Sequence, residues 1–367
     1  RHCRLSEWDA TACRFRRAFP DYKTQNDLLR TYEQRAADIP LAWERDNRAF
    51  SFAEFEREMF ANAAPPQMES VCGYLRKIDQ EMKAQGRFGN GEFYRDLADV
   101  VAAFRPKATL ADLDVQWLHQ FEAWMRTSRN LKNGGIGVHL RMLRAACNQA
   151  IKKDKIMPRS WYPFAEFSMS HLKTNKVNRA MGLEDVRKLE ATEPTDPAEE
   201  LARDLFLFSF YCRGMNLADI AALQKEQVED GRIYYRRKKT HRDYSVALND
   251  PARAIVGKHS ARSPDGYVFP VYREGVHDTA QQKHNRKGRV AKQVNANLKR
   301  LAKSCGVGLL GLTFYTARHT YANSLDRMGA DRRKIQAALG HSSFKTTENY
   351  LNSFSSSEID ELDNLLR

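Results

Sequence analysis

Apolar residues recur at three- and four-residue intervals along most of this chain and alternate with polar ones over only one short stretch. That periodicity restricts the fold to helices with a small sheet. Tyr74, Leu75, Ile78 and Met82 form one helical stripe, and Phe93, Leu97, Val100, Val101 and Phe104 form a second, stopped by Pro106. Leu118, Phe121, Trp124 and Met125 give a third. Leu140, Leu143, Ala146, Cys147 and Ile151 give a fourth, preceded by Gly134-Gly135. Four such helices on short connections predict a bundle of about 100 residues.

Pro65-Pro66 separates this bundle, residues 67–170, from a basic, aromatic-rich segment, residues 1–64, in which Phe52, Phe55 and Phe60 form a short amphipathic pattern. Residues 171–182 carry Lys173, Lys176 and Arg179 with no acidic residue and little apolar content, which reads as a basic linker. Residues 183–367 form the last and largest part. It opens with a helix near Leu183–Glu190, followed by a longer one with Leu201, Leu205 and Phe208 on one face. That helix ends at Arg213-Gly214, where glycine suits the left-handed position beyond a helix. Asn216 reads as the N-cap of the next helix, with Asp219 at its third position. Asp230-Gly231 marks a turn. Arg232–Lys239 and Asp243–Leu248 read as a hairpin around Thr240–Arg242, with Lys238 and Lys239 alternating between strand faces. The remainder returns to helix, and Ser356-Ser357 precedes a narrow stripe of Ile359, Leu362, Leu365 and Leu366.

Composition narrows the function. The 367 residues include 60 Lys+Arg against 46 Asp+Glu, a net charge of +14, and this points to a polyanionic partner. No apolar run approaches the ~18 residues of a membrane span. The first twenty residues carry five arginines and no apolar stretch, unlike a secretory signal. The chain opens on Arg1 and is expected to lack an N-terminal piece. Its six cysteines form no C-x-x-C pair and have no accompanying His cluster, which argues against zinc and against a disulfide framework. A reduced, cytoplasmic and nucleoid-associated protein is expected.

Four segments carry the chemistry. They are Tyr211–Ile220 with Arg213, Arg236–Thr240 with Lys239, Tyr315–Thr320 with Arg318 and His319, and Leu339–Ser343 with His341, followed nine residues after His341 by Tyr350. Two arginines can grip the non-bridging oxygens of a phosphate through their planar forks. A lysine on a hairpin can protonate a leaving oxygen, and a histidine can add a hydrogen bond to the phosphate. A tyrosine can attack phosphorus and become covalently attached, although its ordinary pKa of ~10 calls for cationic surroundings. Together these groups suit phosphoryl transfer without a metal or other cofactor. Tyr321 and His319, on the same helix as Arg318, read as packing and backbone-bonding residues.

These residues resemble the tyrosine recombinase (phage integrase) family. Arg213 lies in an R-G-x-N-x-x-D-I context, Arg318-His319 matches H-x-x-R-H, and Leu339-Gly340-His341-Ser342-Ser343 matches L-G-H-S/T-S. The spacings of 23 from Arg318 to His341 and 9 from His341 to Tyr350 are those of the family. Lys239, before Thr240, fits the family lysine, with Lys238 the competing neighbour. One position departs: Tyr315 stands where the second box opens with His, and a phenol is a poor base near neutral pH. Upstream, residues 67–170 resemble the SAM-like core-binding domain. Arg4–Asp9 and Phe50–Phe60 resemble the end of an arm-binding domain, as in integrases of conjugative transposons.

The resemblance implies a mainly α fold with a small β-sheet (α+β) in the catalytic domain, preceded by an all-α SAM-like domain and a truncated arm-binding segment. It implies a C-shaped clamp on duplex DNA and a site of Arg213, Lys239, Tyr315, Arg318, His341 and Tyr350, with no cofactor and no metal. Backbone contacts are expected from Lys173, Lys176, Arg179, Lys283, Arg286, Lys287, Arg289 and Lys292, because residues 281–300 hold no acidic residue. The expected assembly is a monomer without DNA and a homotetramer on two synapsed duplexes, aided by accessory DNA-bending proteins. The stripe Ile359–Leu366 is expected to dock on a neighbouring protomer. Two rivals share the residues: a type IB topoisomerase, and a non-catalytic DNA-binding regulator derived from an integrase.

Overall fold

The computed structural model describes residues 3–46, 50–52, 55, 58–59, 69–174, 180–308, 311–341, 343–348 and 351. Tyr350, Lys176, Arg179, Phe60, Ser356-Ser357 and the stripe Ile359–Leu366 lie outside them. The chain divides into two compact units. The first comprises Arg1–Tyr74, Ala98–Ala123 and Ala145–Phe167, and the second comprises Leu75–Leu97, Trp124–Arg144 and Ser168–Arg367. No helix among the described residues is long and apolar enough to cross a membrane.

The first unit begins with a two-stranded hairpin, β1 (Trp8–Asp9) and β2 (Arg14–Phe15), followed by α1 (Tyr22–Arg45). Asn26 fixes the hairpin to α1, because its amide both accepts from the Phe15 N–H (2.8 Å) and donates to the Phe15 carbonyl (2.9 Å). Ile39, Trp43 and Met59 make a small buried cluster with Phe55 against it. Phe52 is 73% exposed, so the expected amphipathic pattern of this segment is only partly used for packing.

Four helices follow: α2 (Val71–Ala84), α3 (Phe88–Phe104), α4 (Val115–Thr127) and α5 (Asn133–Lys152). Their stripes bury Tyr74, Leu75 and Ile78, then Leu97 and Val101, then Leu118, Phe121 and Met125, then Leu140 and Leu143. Two expectations fail locally. Phe93 is exposed and Tyr94 is buried in its place, while Leu97, Val100 and Val101 are buried as expected. Gly134-Gly135 lie inside the first turn of α5 and do not precede the helix.

In the second unit, α6 (Leu183–Ala191) leads to α7 (Pro197–Tyr211), which organises the core. Asp196 caps α7 by accepting from the N–H groups of Ala198 (2.7 Å) and Glu199 (2.8 Å), with Pro197 at the first helical position. Leu205, Phe206, Leu207 and Phe208 are all buried, so this helix is covered on every side and not on one face. It packs against three later helices, α9 (Asp250–Arg262), α10 (Ala280–Ser304) and α11 (Thr316–Arg327). Between α7 and α9 lie the four-residue helix α8 (Leu217–Ile220) and a three-stranded antiparallel sheet, β3 (Val228–Glu229), β4 (Arg232–Arg236) and β5 (Asp243–Ala247). Asp230 and Gly231, at φ 48° and 70°, form the tight turn between β3 and β4. The chain continues through α12 (Arg332–Leu339) to α13 (Phe344–Glu348).

The sheet differs from its sequence reading. Strand β4 stops at Arg236, and its last pair is Arg236 with Asp243. Residues 237–242 form the turn, closed by Arg237 N–H to the Arg242 carbonyl and His241 N–H to the Arg237 carbonyl, both 2.8 Å. Lys238 and Lys239 therefore belong to a turn, and strand alternation does not decide between them. Thr346 and Thr347 lie within α13, which begins two residues earlier at Phe344.

Candidate active site

The end of α7 builds the first wall. The chain leaves the helix with Arg213 at φ 59° and Gly214 at φ 67°, and the Gly214 N–H returns to the Ser209 carbonyl at 2.7 Å. A Cβ on Gly214 would lie 2.6 Å from Cγ and 2.9 Å from Cα of Arg318, so this glycine lets the loop touch α11 directly. The Gly214 carbonyl then accepts from Arg318 Nη1 at 2.8 Å.

Arg318 is 4% exposed and ties three segments together. Its Nη2 donates to the Leu339 carbonyl at 2.5 Å and lies 3.0 Å from His341 Nε2. A guanidinium only donates, so His341 Nε2 is the acceptor and the imidazole proton sits on Nδ1. Nδ1 in turn donates to the hydroxyl of the buried Thr347, 3.0 Å away. Burial, helped by the charges of Arg318 and Arg237, holds the His341 pKa down to about 4. This imidazole is neutral near pH 7, and in this geometry it presents Nε2 as an acceptor and not as the donor expected from sequence. Gly340, at φ 65°, gives α12 its left-handed end, and the Tyr244 hydroxyl occupies the space where a Cβ would stand.

Arg213 is half-buried, and its charge and that of Arg318 both reach Tyr321, offsetting in part the rise that burial imposes on that phenol. Tyr321 packs against the cluster of Ala322, Ile335 and Leu339. Tyr315 stands at the start of α11, 41% exposed, with its ring edge-on to His319 at 5.2 Å. Tyr315 lies one helical turn before Arg318. Asn216 occupies the N-cap position of α8 without a side-chain cap bond.

Sequence reasoning missed two residues. Asp219, buried in α8, accepts from the Lys238 N–H at 3.1 Å and so anchors the hairpin turn. Burial raises its pKa against the opposing Lys238 N–H, Arg237 and Arg318. Arg237, 8% exposed, donates through Nη1 to the same Leu339 carbonyl that Arg318 uses, at 3.1 Å. Its Nε is 4.0 Å from Asp219. The side chains of Lys238 and Lys239 are exposed on the turn these residues hold.

The expected backbone-contact residues fall into three groups. Lys283 lies over the rings of Tyr267 and Tyr272, 5.9 and 6.0 Å from their centroids, and Arg286 Nε donates to the Val271 carbonyl at 2.9 Å. These two side chains are engaged within the fold. Arg289, Lys292 and Lys173 are exposed, and Lys287 is half-buried. Lys176 and Arg179 lie outside the described residues.

The Phage integrase family matches residues 179–356, and the Phage integrase SAM-like domain matches residues 70–169. Tyrosine recombinase XerD of Brucella melitensis biotype 1 is 27% identical over 196 residues, 48% of this chain and 60% of that protein. Tyrosine recombinase XerD of Agrobacterium fabrum is 28% identical over 185 residues, 47% of this chain and 55% of that protein. The chain thus spans about 60% or less of the length of the curated relatives it matches. Among solved structures, the Tn1549 transposon integrase in complex with transposon right end DNA superposes with a TM-score of 0.56 at 15% identity, covering 81% of this chain and 100% of that one. A lambda integrase tetramer bound to a Holliday junction gives 0.56 at 13% identity, covering 96% and 94%. At these identities the solved structures speak to the fold alone. The two matched regions, the mainly helical fold with its three-stranded sheet and the converging boxes together place the chain in the tyrosine recombinase (phage integrase) family.

Proposed function

We propose that this chain is a site-specific DNA recombinase that integrates and excises a mobile element. Tyr350 attacks the scissile phosphate, giving a 3′-phosphotyrosyl bond and a free 5′-hydroxyl. Arg213 and Arg318 stabilise the pentacoordinate phosphorane, with His341 orienting Arg318 beside it. Lys239 protonates the departing 5′ oxygen. The 5′-hydroxyl of a partner duplex reverses the step, so one ester replaces another and the exchange balances without ATP or a metal. Exchange between two duplexes calls for four such sites, hence a homotetramer on synapsed DNA. Residues 67–170, the linker 171–182 and the domain 183–367 all contribute to holding that DNA.

The observation that carries this reading is the position of Arg318. Its single guanidinium bonds the loop after Arg213, the end of α12 and His341. Three of the four sequence boxes meet at one buried cation, and the Lys239 turn is tied to the same carbonyl through Arg237. Incubation with a nicked duplex carrying the recombination site tests the reading. Wild type should form a denaturant-stable adduct and Tyr350→Phe should not. An adduct of equal yield from the variant would overturn it. Relaxation of supercoils by monomers on any sequence would instead favour a topoisomerase.

A further inference from the structure

We propose that Arg237 is a positioning residue that fixes the turn bearing Lys239 against the Leu339–Gly340–His341 segment. The inference rests on the reading of Lys239 as the proton donor and deepens it.

Burying a guanidinium is costly unless its donors are used. Arg237 lies in a run of basic residues, Arg236 to Lys239, whose other members, Arg236, Lys238 and Lys239, are exposed, yet it alone is nine-tenths buried. Its position has a specific geometric content. Nη1 reaches the Leu339 carbonyl, which also accepts from Arg318, so one oxygen joins the hairpin turn to the phosphate-gripping arginine. On its other side Asp219 faces the Arg237 Nε and holds the Lys238 N–H. The backbone of Arg237 closes the turn in both directions, from its N–H to Arg242 and from its carbonyl to His241. Side chain and main chain thus clamp residues 237–242 at their base while leaving Lys239 itself at the exposed tip. A long, flexible lysine delivers a proton only where its stem is held within reach of the leaving oxygen. Arg237 is placed to supply that restraint.

The cleavage step separates a positioning role from a purely structural one. The Tyr350 Oη–phosphorus bond forms as the phenol gives up its proton to solvent water, the phosphorus–O5′ bond breaks, and a proton passes from Lys239 Nζ to O5′. A substrate with sulfur in place of that bridging O5′ releases a thiolate, which leaves without protonation. The test uses the full chain on nicked duplexes with oxygen or sulfur at the scissile position, comparing wild type, Arg237→Met, Arg237→Lys and Lys239→Ala. Lys239→Ala should lose about 100-fold or more on oxygen and recover on sulfur. Arg237→Met should lose about 10-fold or more on oxygen and fall within about threefold of wild type on sulfur, with Arg237→Lys intermediate on oxygen. Equal losses of Arg237→Met on both substrates, or no loss on either, would overturn the proposal. Failure of sulfur to rescue Lys239→Ala would remove the acid assignment and the Arg237 role with it. Rescue of Lys239→Ala without rescue of Arg237→Met would remove the Arg237 role alone. If Arg237→Met does not fold, Arg237→Lys carries the same comparison.

Discussion

The Nη2 of Arg318 lies 3.0 Å from the Nε2 of His341, close enough that the histidine must accept and therefore stay neutral. Burial and the Arg318 and Arg237 charges hold its pKa near 4 in the folded chain, against an unfolded value of ~6.5. Between these values the unfolded chain binds the extra proton. The stability this histidine contributes is complete above about pH 6.5 and is lost as the pH falls through its folded value. The thermal midpoint of wild type should therefore fall further between about pH 7 and pH 4 than that of His341→Gln. Parallel curves for the two proteins would contradict the assignment.

Gly214 and Gly340 are required for different reasons. A Cβ at Gly214 meets the backbone and Cβ of Arg318 within 2.9 Å, and helix α11 cannot step aside. Gly214→Ala should lose about 2 kcal/mol or more in urea unfolding. The atoms nearest a Cβ at Gly340 all belong to the Tyr244 side chain, so Gly340→Ala should be tolerated better in stability while displacing the tyrosine next to His341. Equal stability losses would contradict this distinction.

The Tyr244 hydroxyl is buried with no hydrogen-bond partner among the described residues, and its ring stacks on Tyr235 at 5.2 Å. Removing an unsatisfied hydroxyl and keeping the ring should be neutral or stabilising by up to about 1 kcal/mol. A clear loss of stability in Tyr244→Phe, measured by denaturant unfolding, would show that the hydroxyl has a partner.

Asp219 is the buried carboxylate that faces Arg237 and holds the turn through the Lys238 N–H. Removing it leaves a buried guanidinium without its counter-charge, so Asp219→Ala should cost about 3 kcal/mol. Asp219→Asn keeps an acceptor for Lys238 and should cost less. The same denaturation series checks both variants.

On α10 the exposed Arg289 and Lys292 are available to phosphates, whereas Lys283 and Arg286 are already engaged with Tyr267, Tyr272 and the Val271 carbonyl. Replacing Arg289 and Lys292 by Ala should reduce the slope of log affinity against log salt by about 0.9 for each cation removed. Lys283→Ala should leave the slope nearly unchanged. A larger change for Lys283 than for Arg289 would contradict this division.

Periodicity exposed the helices because a buried stripe must repeat with the turn of the helix, as Leu97 and Val101 do on α3. It misplaced Phe93 and the end of β4 because both lie where an element meets solvent, and there the pattern carries no burial signal. The short boxes made Arg213, Arg318 and His341 visible, and the fold brings these three segments together. Arg237 was hidden in the basic run Arg236–Lys239, since nothing in such a run tells which cation turns inward. Asp219 was visible as a helix-start residue, but its hold on a turn nineteen residues later is a tertiary fact. The direction of the His341 bond likewise follows from its neighbour, a group that can only donate.

In the proposed reaction one tyrosine hydroxyl becomes esterified to a DNA 3′ end, and peptide mapping of the covalent adduct identifies which one. After nuclease and protease digestion, mass spectrometry should find a 3′-nucleotide on the peptide containing Tyr350. A nucleotide attached at Tyr315, Tyr321 or another residue, or attached through its 5′ end, would exclude Tyr350 as the nucleophile.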